Sequence, residues 1–533
     1  MSKPRIMYYT DARHPLVYMY EPPMHKEEFE STIDEIAGTS VDAVMFCLGD
    51  GRTMMHDTKA GELWGHNVQK WTHSVFRRAY QNVKNLIDSG NDPLTIVCDK
   101  AHQKGILLYP TLLVQLPSGI RGGPGYDIRS SDFRLDNPQF EIGASGDVDP
   151  KFAGINCADF KHEEVRNERF AVIEEVLCNY SVDGIELQLN FWPFYFHPNE
   201  ILDGTKIMTD WISKIYTLVQ QSGKDRELVI TIPAKITDCL SRGLDVKDWL
   251  RLGIVDVLVG QPIQRPDLMD PNSAFIKYDL EYLNDLQNLV KATNGTKCRV
   301  HASINSTLHS DRLTQAPIEM IRAAAVNYWE QGVDGMYINW ITNWPYKPDF
   351  YEKLRELPHP DIMNYKDKFY HVPTATLSDP NGKSHTQLPA TFKTGSPLRI
   401  EMTINDRIAS WHEVDRIYEV LLRFRITSAT ELDRFRFKIN GKEIPLNLMR
   451  QINKMYGMKS ARYRVFGQWY IFNLTKEYWP AKGSNIFEVT LLNHDSEVIE
   501  YPNLRDVELE IKYFMGKNFH RDFVDLNLGP YDS

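Results

Sequence analysis

The stretch Asp183-Gly184-Ile185-Glu186-Leu187-Gln188-Leu189-Asn190 combines an alternating apolar pattern with polar residues that could do chemistry. In a strand, alternation places the three apolar residues on one face and Glu186, Gln188 and Asn190 on the other. A carboxylate on a buried face is costly unless it is paired or used. A raised pKa would suit such a group to general acid or base catalysis. Glu186 is therefore the first catalytic candidate. The alternative is a structural glutamate satisfied by Gln188 and its neighbours.

Polar and aromatic residues also occur on, or directly after, other apolar runs. Amide side chains can pair with sugar hydroxyls as donors and acceptors, and aromatic rings can stack on the C–H faces of sugars. We therefore expect a carbohydrate site where these residues converge. The further catalytic candidates are Asp50 and His301, with Asp238, Asp267 and Asp270 as rivals of Asp50. The substrate-binding candidates are Arg13, His14, Gln188, Asn190, Trp192, Gln261, Asn339, Trp340 and Trp344.

The elements that would position these residues follow a repeat. Four apolar strands begin alike after helix-like stretches, and such internal repeats are informative about architecture. Their first residues are Val41-Asp42-Ala43, Val182-Asp183-Gly184, Val255-Asp256-Val257 and Val333-Asp334-Gly335. Strands that alternate with amphipathic helices indicate a parallel sheet covered by helices. In a (β/α)8 barrel the active site lies where the strands end.

Eight strands can be placed in order along the first two thirds of the chain. They are predicted at about 5–11, 41–49, 106–115, 182–190, 227–235, 255–262, 298–306 and 333–341. Helical patterns are predicted at about 26–38, 73–103, 162–180, 205–222, 245–252, 280–293, 317–331 and 349–357. We therefore predict a (β/α)8 TIM barrel over residues 1–360, with long pocket-building loops after strands two and three.

The last third of the chain changes in character. Residues 361–397 are rich in proline and polar residues, which indicates a linker or an edge segment. Short alternating strands dominate residues 398–533, and Asn440-Gly441 between two of them is typical of a tight hairpin. The sequence therefore predicts a C-terminal all-β sandwich, either carbohydrate-binding or structural.

Composition and charge exclude several classes of function. The net charge of -10 argues against general nucleic-acid binding, which depends on neutralising phosphates. No run of 18 apolar residues suggests a membrane-spanning helix. The first residues lack the apolar core of a signal peptide, so we expect a cytoplasmic or periplasmic protein. The six cysteines have no CxxC spacing, and buried free thiols are favoured over disulfides or a metal site.

Other chemical motifs do not point elsewhere. The chain has no Walker loop, no GxGxxG after a strand, no HExxH and no GxSxG. His56 and His66 share a loop with several acids, but their spacing matches no familiar ligand set, and a solvated polar loop is favoured over a metal site. We therefore expect no cofactor and no metal. The oligomeric state is left open.

Several motifs resemble barrel glycosidases of the glycoside-hydrolase-like families found in polysaccharide-degrading bacteria. They are Gly61-Glu62-Leu63-Trp64-Gly65, Asn91-Asp92-Pro93-Leu94, Ala101-His102-Gln103-Lys104-Gly105-Ile106 and Asp183-Gly184-Ile185-Glu186-Leu187, within residues 1–360. The last also resembles the chitinase-type DGxDxDxE strand, but its middle acid falls on Gln188 and its last on Asn190. That departure argues against substrate-assisted catalysis. The stretch from Trp479 to Val489 resembles galactose-binding-like sandwiches appended to glycosidases.

Together, the residues and the resemblance predict a glycoside hydrolase. Its substrate would be an oligo- or polysaccharide, with acidic or sulfated sugars among the options. A glycosidase needs two carboxylates across the scissile bond. Glu186 is the first of these, Asp50 the best-placed second, and His301 could orient an acid or bind a hydroxyl. The alternatives are a non-catalytic carbohydrate-binding barrel and, less favoured, a polysaccharide lyase.

Overall fold

The computed structural model describes residues 3–11, 16, 19–51, 53–119, 121, 128–263, 280–305, 316–339, 348–374, 387–454, 467–516, 524–525 and 529–530. The chain forms two compact units. The first comprises Met1–Lys277, Asn284–Asn305 and Gln331–Pro358, and the second comprises Tyr278–Leu283, Ser306–Glu330 and His359–Ser533. Among the described residues, no helix is both long and apolar enough to cross a lipid bilayer.

A closed parallel barrel forms the centre of the first unit. Eight strands pair in the order β1-β10-β9-β8-β7-β6-β5-β2, and β1 also pairs with β2, which closes the sheet. Two short strands, β3 and β4, extend from β2. In chain order the strands are β1 (Ile6–Thr10), β2 (Ala43–Asp50), β3 (Thr53–Met54), β4 (Glu62–Leu63), β5 (Leu107–Leu113), β6 (Gly184–Gln188), β7 (Glu227–Pro233), β8 (Val257–Gln261), β9 (Arg299–Asn305) and β10 (Gly335–Asn339). The predicted barrel and its eight strands are confirmed.

Helices alternate with these strands, as the apolar periodicity predicts. They are α1 (Lys26–Asp34), α2 (Ser74–Asp88), α3 (Pro93–Gln103), α4 (Asp132–Asp136), α5 (Glu163–Asn179), α6 (Ile201–Ser222), α7 (Ile236–Leu240), α8 (Val246–Leu252), α9 (Leu280–Thr293), α10 (Ile318–Glu330), α11 (Pro348–Glu356) and α12 (Pro360–Met363). Helices α10 and α12 belong to the second unit, although α10 lies within the range 1–360 predicted for the barrel.

The single helix predicted at 73–103 is two helices, because local chemistry interrupts the period. Helix α2 ends at Asp88, and Gly90 follows with a φ of 78°. Asp92 then caps α3, its side chain accepting the Thr95 backbone N–H at 2.9 Å, and Pro93 takes the first helical position. Proline suits that position because its missing N–H would be unsatisfied there in any case.

The aspartate of each Val-Asp repeat joins two neighbouring strands at the N-terminal end of the barrel. Each carboxylate accepts the backbone N–H of a residue in or next to the preceding barrel strand, and each aspartate N–H returns a bond to the carbonyl of that same residue. The four reciprocal pairs are Asp42 with Ile6, Asp183 with Leu108, Asp256 with Leu228 and Asp334 with Val300, with carboxylate distances of 2.8–2.9 Å. We call these four pairs the aspartate latches. They couple β1 to β2, β5 to β6, β7 to β8 and β9 to β10.

The second unit contains two antiparallel sheets that share one hydrophobic core, and a separate two-stranded sheet formed by β21 and β22. One has the order β11-β20-β14-β18-β17, with β12 also paired to β20, and the other has the order β13-β19-β15-β16. Its elements are β11 (Lys368–His371), β12 (Ala390–Thr391), β13 (Pro397–Ile404), α13 (Ile408–Glu413), β14 (Ile417–Thr427), β15 (Arg434–Ile439), β16 (Lys442–Glu443), β17 (Met449–Lys454), β18 (Gly467–Asn473), β19 (Gly483–Asn493), β20 (Asn503–Tyr513), β21 (Val524–Asp525) and β22 (Gly529–Pro530).

Side chains from both sheets pack in that core, among them Phe424, Phe437, Phe472 and Phe487, so the predicted β-sandwich is confirmed. Its likeness to galactose-binding-like domains stays a prediction. The predicted hairpin is also present. Asn440 and Gly441, with φ values of 50° and 81°, connect β15 to β16. Two consecutive positive φ angles are the mark of a type I′ turn.

We expect the aspartate latches to contribute to barrel stability. Replacing Asp256 by alanine removes the acceptor of the Leu228 N–H and should lower the free energy of unfolding by about 1.5–3 kcal/mol, the usual range for hydrogen bonds to charged groups. Denaturant unfolding measures the change. Asp210→Ala, at an exposed position of α6, is the matched control and should stay within about 0.5 kcal/mol of the wild type. Equal losses in the free energy of unfolding for the two variants would contradict a stabilising role of the aspartate latches.

Candidate active site

Strand β6 carries the leading candidate, Glu186, into the barrel interior. Its carboxyl has no exposed surface. The hydroxyls of Thr111 and Thr231 each donate to it at 2.5 Å, and the hydroxyl of Tyr337, on the opposite side of the barrel, donates at 3.1 Å. Strands β5, β7 and β10 therefore each provide one hydroxyl that donates to the carboxyl of Glu186. Alternation predicts this inward orientation.

Burial raises the pKa of Glu186 to about 7, and the three hydroxyl donors oppose that rise because they favour the ionised form. The carboxyl therefore exchanges its proton near neutral pH, as a general acid should. It is nevertheless enclosed on every side, and a group without exposed surface cannot protonate a glycosidic oxygen in this conformation. The pKa of Glu186 therefore suits a general acid, while its side chain has no exposed surface in this structure.

His301 is also enclosed. It is fully buried on β9, between Val259 of β8 and Gly335 of β10. A Cβ atom at position 335 would lie 2.5 Å from its Cε1 atom, so the glycine makes room for the ring. Within the described part of the chain, neither ring nitrogen has a hydrogen-bond partner. Burial, with Arg299 nearby, lowers the pKa of His301 to about 3. The imidazole is neutral at neutral pH and does not reach the barrel surface.

The C-terminal end of the barrel carries amide side chains above Glu186. Gln188 follows it on the same face, about 7 Å further along the strand direction, and Asn190 comes two residues later, beyond the end of β6. The side-chain NH2 of Asn190 lies 3.3 Å from Oε1 of Gln261 and donates to the Pro262 carbonyl at 2.9 Å. In the described ranges, the side-chain oxygen of Asn339 has no hydrogen-bond partner. The structure brings these predicted amides to one end of the barrel.

The remaining candidates fall at the same end or outside the described residues. Asp50 is the last residue of β2, where its backbone pairs with Thr53 of β3. Asp238 lies in α7, which follows β7. Arg13, His14, Trp340, Trp344, Asp267 and Asp270 lie outside the residues that the structure describes.

The aromatic residues after β6 divide into two groups. Phe194, Tyr195 and Phe196 are buried, and the Tyr195 hydroxyl donates to the Leu189 carbonyl at 2.9 Å. These rings pack the loop and present no face to a sugar. Trp192 is only partly buried and packs at the margin of a small loop cluster, so it remains a candidate for stacking on a sugar.

Sequence reasoning missed the partners of Glu186. Thr111, Thr231 and Tyr337 all lie on predicted strands at positions of the inward face. Alternation could have assigned each of them to the interior. It could not show that they meet one carboxyl, because that depends on the stagger of strands around the closed barrel.

Comparison with known proteins gives similarity in structure only. No protein-family model matches the chain, and no curated protein matches it. Alpha-L-fucosidase isoenzyme 2 from Paenibacillus thiaminolyticus matches with a TM-score of 0.41 and 10% identity over 68% of this chain and 49% of the fucosidase. This chain therefore spans about half of the fucosidase's length.

Two further solved structures match over most of their own length. A class V chitinase from Pseudomonas fluorescens Pf-5 has a TM-score of 0.35 and 13% identity over 66% of this chain and 98% of the chitinase. An alpha-amylase from Geobacillus thermoleovorans, complexed with acarbose, has a TM-score of 0.37 and 10% identity over 92% of this chain and 99% of the amylase. The barrel itself follows from the strand pairing in this chain.

We expect Glu186 to make stability depend on pH. Its folded pKa of about 7 lies above the ordinary value of 4.5, so ionisation disfavours the folded state. The cost is absent below pH about 4.5 and complete above pH about 7, where it reaches about 3 kcal/mol at 1.36 kcal/mol per pKa unit. Glu186→Gln removes the titration. The free energy of unfolding of the wild type should therefore fall relative to Glu186→Gln as pH rises from 4.5 to 8. A difference that does not change with pH would contradict the assignment.

Proposed function

We propose that the first unit is a glycoside hydrolase that acts on an oligo- or polysaccharide at the C-terminal end of its barrel. The observation that supports this best is the partly buried Asn339 at the end of β10, whose side-chain oxygen has no hydrogen-bond partner among the described residues, together with the buried amides Gln188, Asn190 and Gln261. Amides pair with the donor and the acceptor of a sugar hydroxyl. Barrel enzymes carry their active sites at this end. Trp192 follows β6 in the sequence and is only partly buried, so its ring would supply a face on which a sugar could stack.

The proposal assigns catalysis to carboxylates at the strand ends. Hydrolysis of a glycosidic bond normally requires two of them. Asp50, at the end of β2, is our first candidate. Asp238 and Asp11, which follow β7 and β1, are described candidates for the second, and Asp267 and Asp270 remain options. Because Glu186 is enclosed, its proposed role is to position: it holds hydroxyls of β5, β7 and β10 beneath the amides.

A second candidate function is a carbohydrate-binding barrel without catalysis. Two observations favour it. Gln188 and Asn190 are amides at positions where the chitinase-type pattern has acids, and the strand's own acid, Glu186, is buried. Such a protein would bind a glycan through the same amides but would not cleave it.

The test is reducing-end release from a panel of neutral, uronic and sulfated polysaccharides. Wild type is compared with Asp50→Asn, Glu186→Gln and the control Asp57→Asn, whose carboxylate lies in the same loop and pairs with Lys59. We expect Asp50→Asn to lose about 100-fold or more of the turnover, in line with the usual contribution of a general acid or base. Asp57→Asn should keep the wild-type rate.

The other outcomes separate the alternatives. Full turnover in Asp50→Asn would exclude that residue. Loss of turnover in Glu186→Gln with an unchanged melting temperature would return the acid role to Glu186. An absence of turnover on the whole panel, combined with glycan binding that weakens in Gln261→Ala, would favour the non-catalytic barrel.

A further inference from the structure

Three side chains of metal-ligand type converge from two separate loops of the first unit. Glu62 lies in β4, His66 follows it by four residues, and Asp132 begins α4. One ligand atom from each lies within 4.8 Å of the others. Nε2 of His66 is 3.0 Å from Oδ2 of Asp132 and 3.4 Å from Oε2 of Glu62.

The protonation of His66 makes this cluster different from a group of exposed acids. Its Nδ1 atom lies 2.9 Å from the Leu63 carbonyl oxygen, which can only accept, so Nδ1 carries a proton. In a neutral imidazole, Nε2 then has a lone pair, and it faces two carboxylate oxygens. That arrangement is repulsive unless a positive charge lies among the three atoms. The charge is either a second ring proton or a bound cation.

The carboxylates of the cluster have further hydrogen-bond partners. The far oxygen of Asp132 accepts from Arg121 at 2.7 Å and from Asn67 at 3.4 Å. The Asp132 backbone N–H donates at 2.7 Å to Oε2 of Glu62, the same oxygen that lies 3.4 Å from Nε2 of His66. Metal-binding histidines and carboxylates usually have such outer partners, which fix the tautomer and the direction of the free atom. Here Nε2 of His66, Oδ2 of Asp132 and one oxygen of Glu62 lie within 4.8 Å of one another.

We propose that Glu62, His66 and Asp132 bind a divalent transition metal of the zinc class. Ligand atoms about 2.05 Å from a tetrahedral zinc lie about 3.3 Å from one another, and the distances of 3.0 and 3.4 Å bracket that value. An imidazole among the ligands favours zinc-like metals over calcium or magnesium, which prefer oxygen alone. Three protein ligands leave the fourth position to water.

The bound metal would fasten the loop after β2 to the loop after β5. Both loops begin at the C-terminal ends of barrel strands, where the sequence predicts the substrate pocket. This inference is independent of the proposed hydrolase activity, and its test uses no turnover.

The experiment is calorimetric titration of the chelator-treated full-length protein with Zn²⁺, together with its melting temperature with and without the metal. We expect one site per chain and a higher melting temperature with zinc. His66→Ala should weaken binding by about tenfold or more, and Glu62→Gln should also weaken it. The control is His102→Ala, which removes a histidine whose Nε2 lies 2.9 Å from the carboxylate of Asp183. It should keep the wild-type affinity.

Several results would overturn the proposal. One is the absence of a stoichiometric zinc site in the wild type. Another is equal loss of zinc binding in His66→Ala and His102→Ala, which would indicate adventitious binding at surface histidines. Calcium that competes equally with zinc would refute the metal class. If His66→Ala does not fold, which its melting temperature in chelator reveals, Glu62→Gln decides the question, and unchanged affinity in that variant would refute the site.

Discussion

The barrel depends on a short polar contact repeated four times. In each aspartate latch, one aspartate accepts the N–H of a residue in or beside the preceding strand and donates its own N–H to that residue's carbonyl. A charged acceptor makes such a bond stronger than a neutral one. The latches fix the register of four strand pairs independently of the side chains in the barrel interior. That register decides which residues face inward and therefore which side chains reach the C-terminal end.

The latches also explain why the architecture can be predicted from the sequence. The Val-Asp repeat, the apolar strands and the amphipathic helices all indicate the same alternation, and consistency between local and global preferences is what specifies a fold. The strand ends in the structure lie within two residues of those predicted. The prediction of a single helix at 73–103 was wrong because Gly90, Asp92 and Pro93 interrupt the helix, although the apolar period continues on both sides of them.

The candidate site was less predictable, for a geometric reason. A period of two shows which face of a strand a residue occupies, but it does not show the height at which that residue sits in a closed barrel. Glu186 and Asn190 are both fully buried, yet Glu186 contacts three other strands inside the barrel while Asn190 contacts Gln261 and Pro262 at its end. The cluster of Glu62, His66 and Asp132 joins residues that are about 70 positions apart, and no local pattern connects them.

The enclosed carboxyl of Glu186 has a consequence for the proposed binding of a sugar. With a pKa of about 7, it is close to half protonated at neutral pH, and its proton occupancy would shift with any charge brought near it. Under the proposed function, a neutral sugar would leave that occupancy almost unchanged, whereas an anionic sugar would draw a proton from the buffer onto Glu186. Net proton uptake on binding would then report the charge of the sugar.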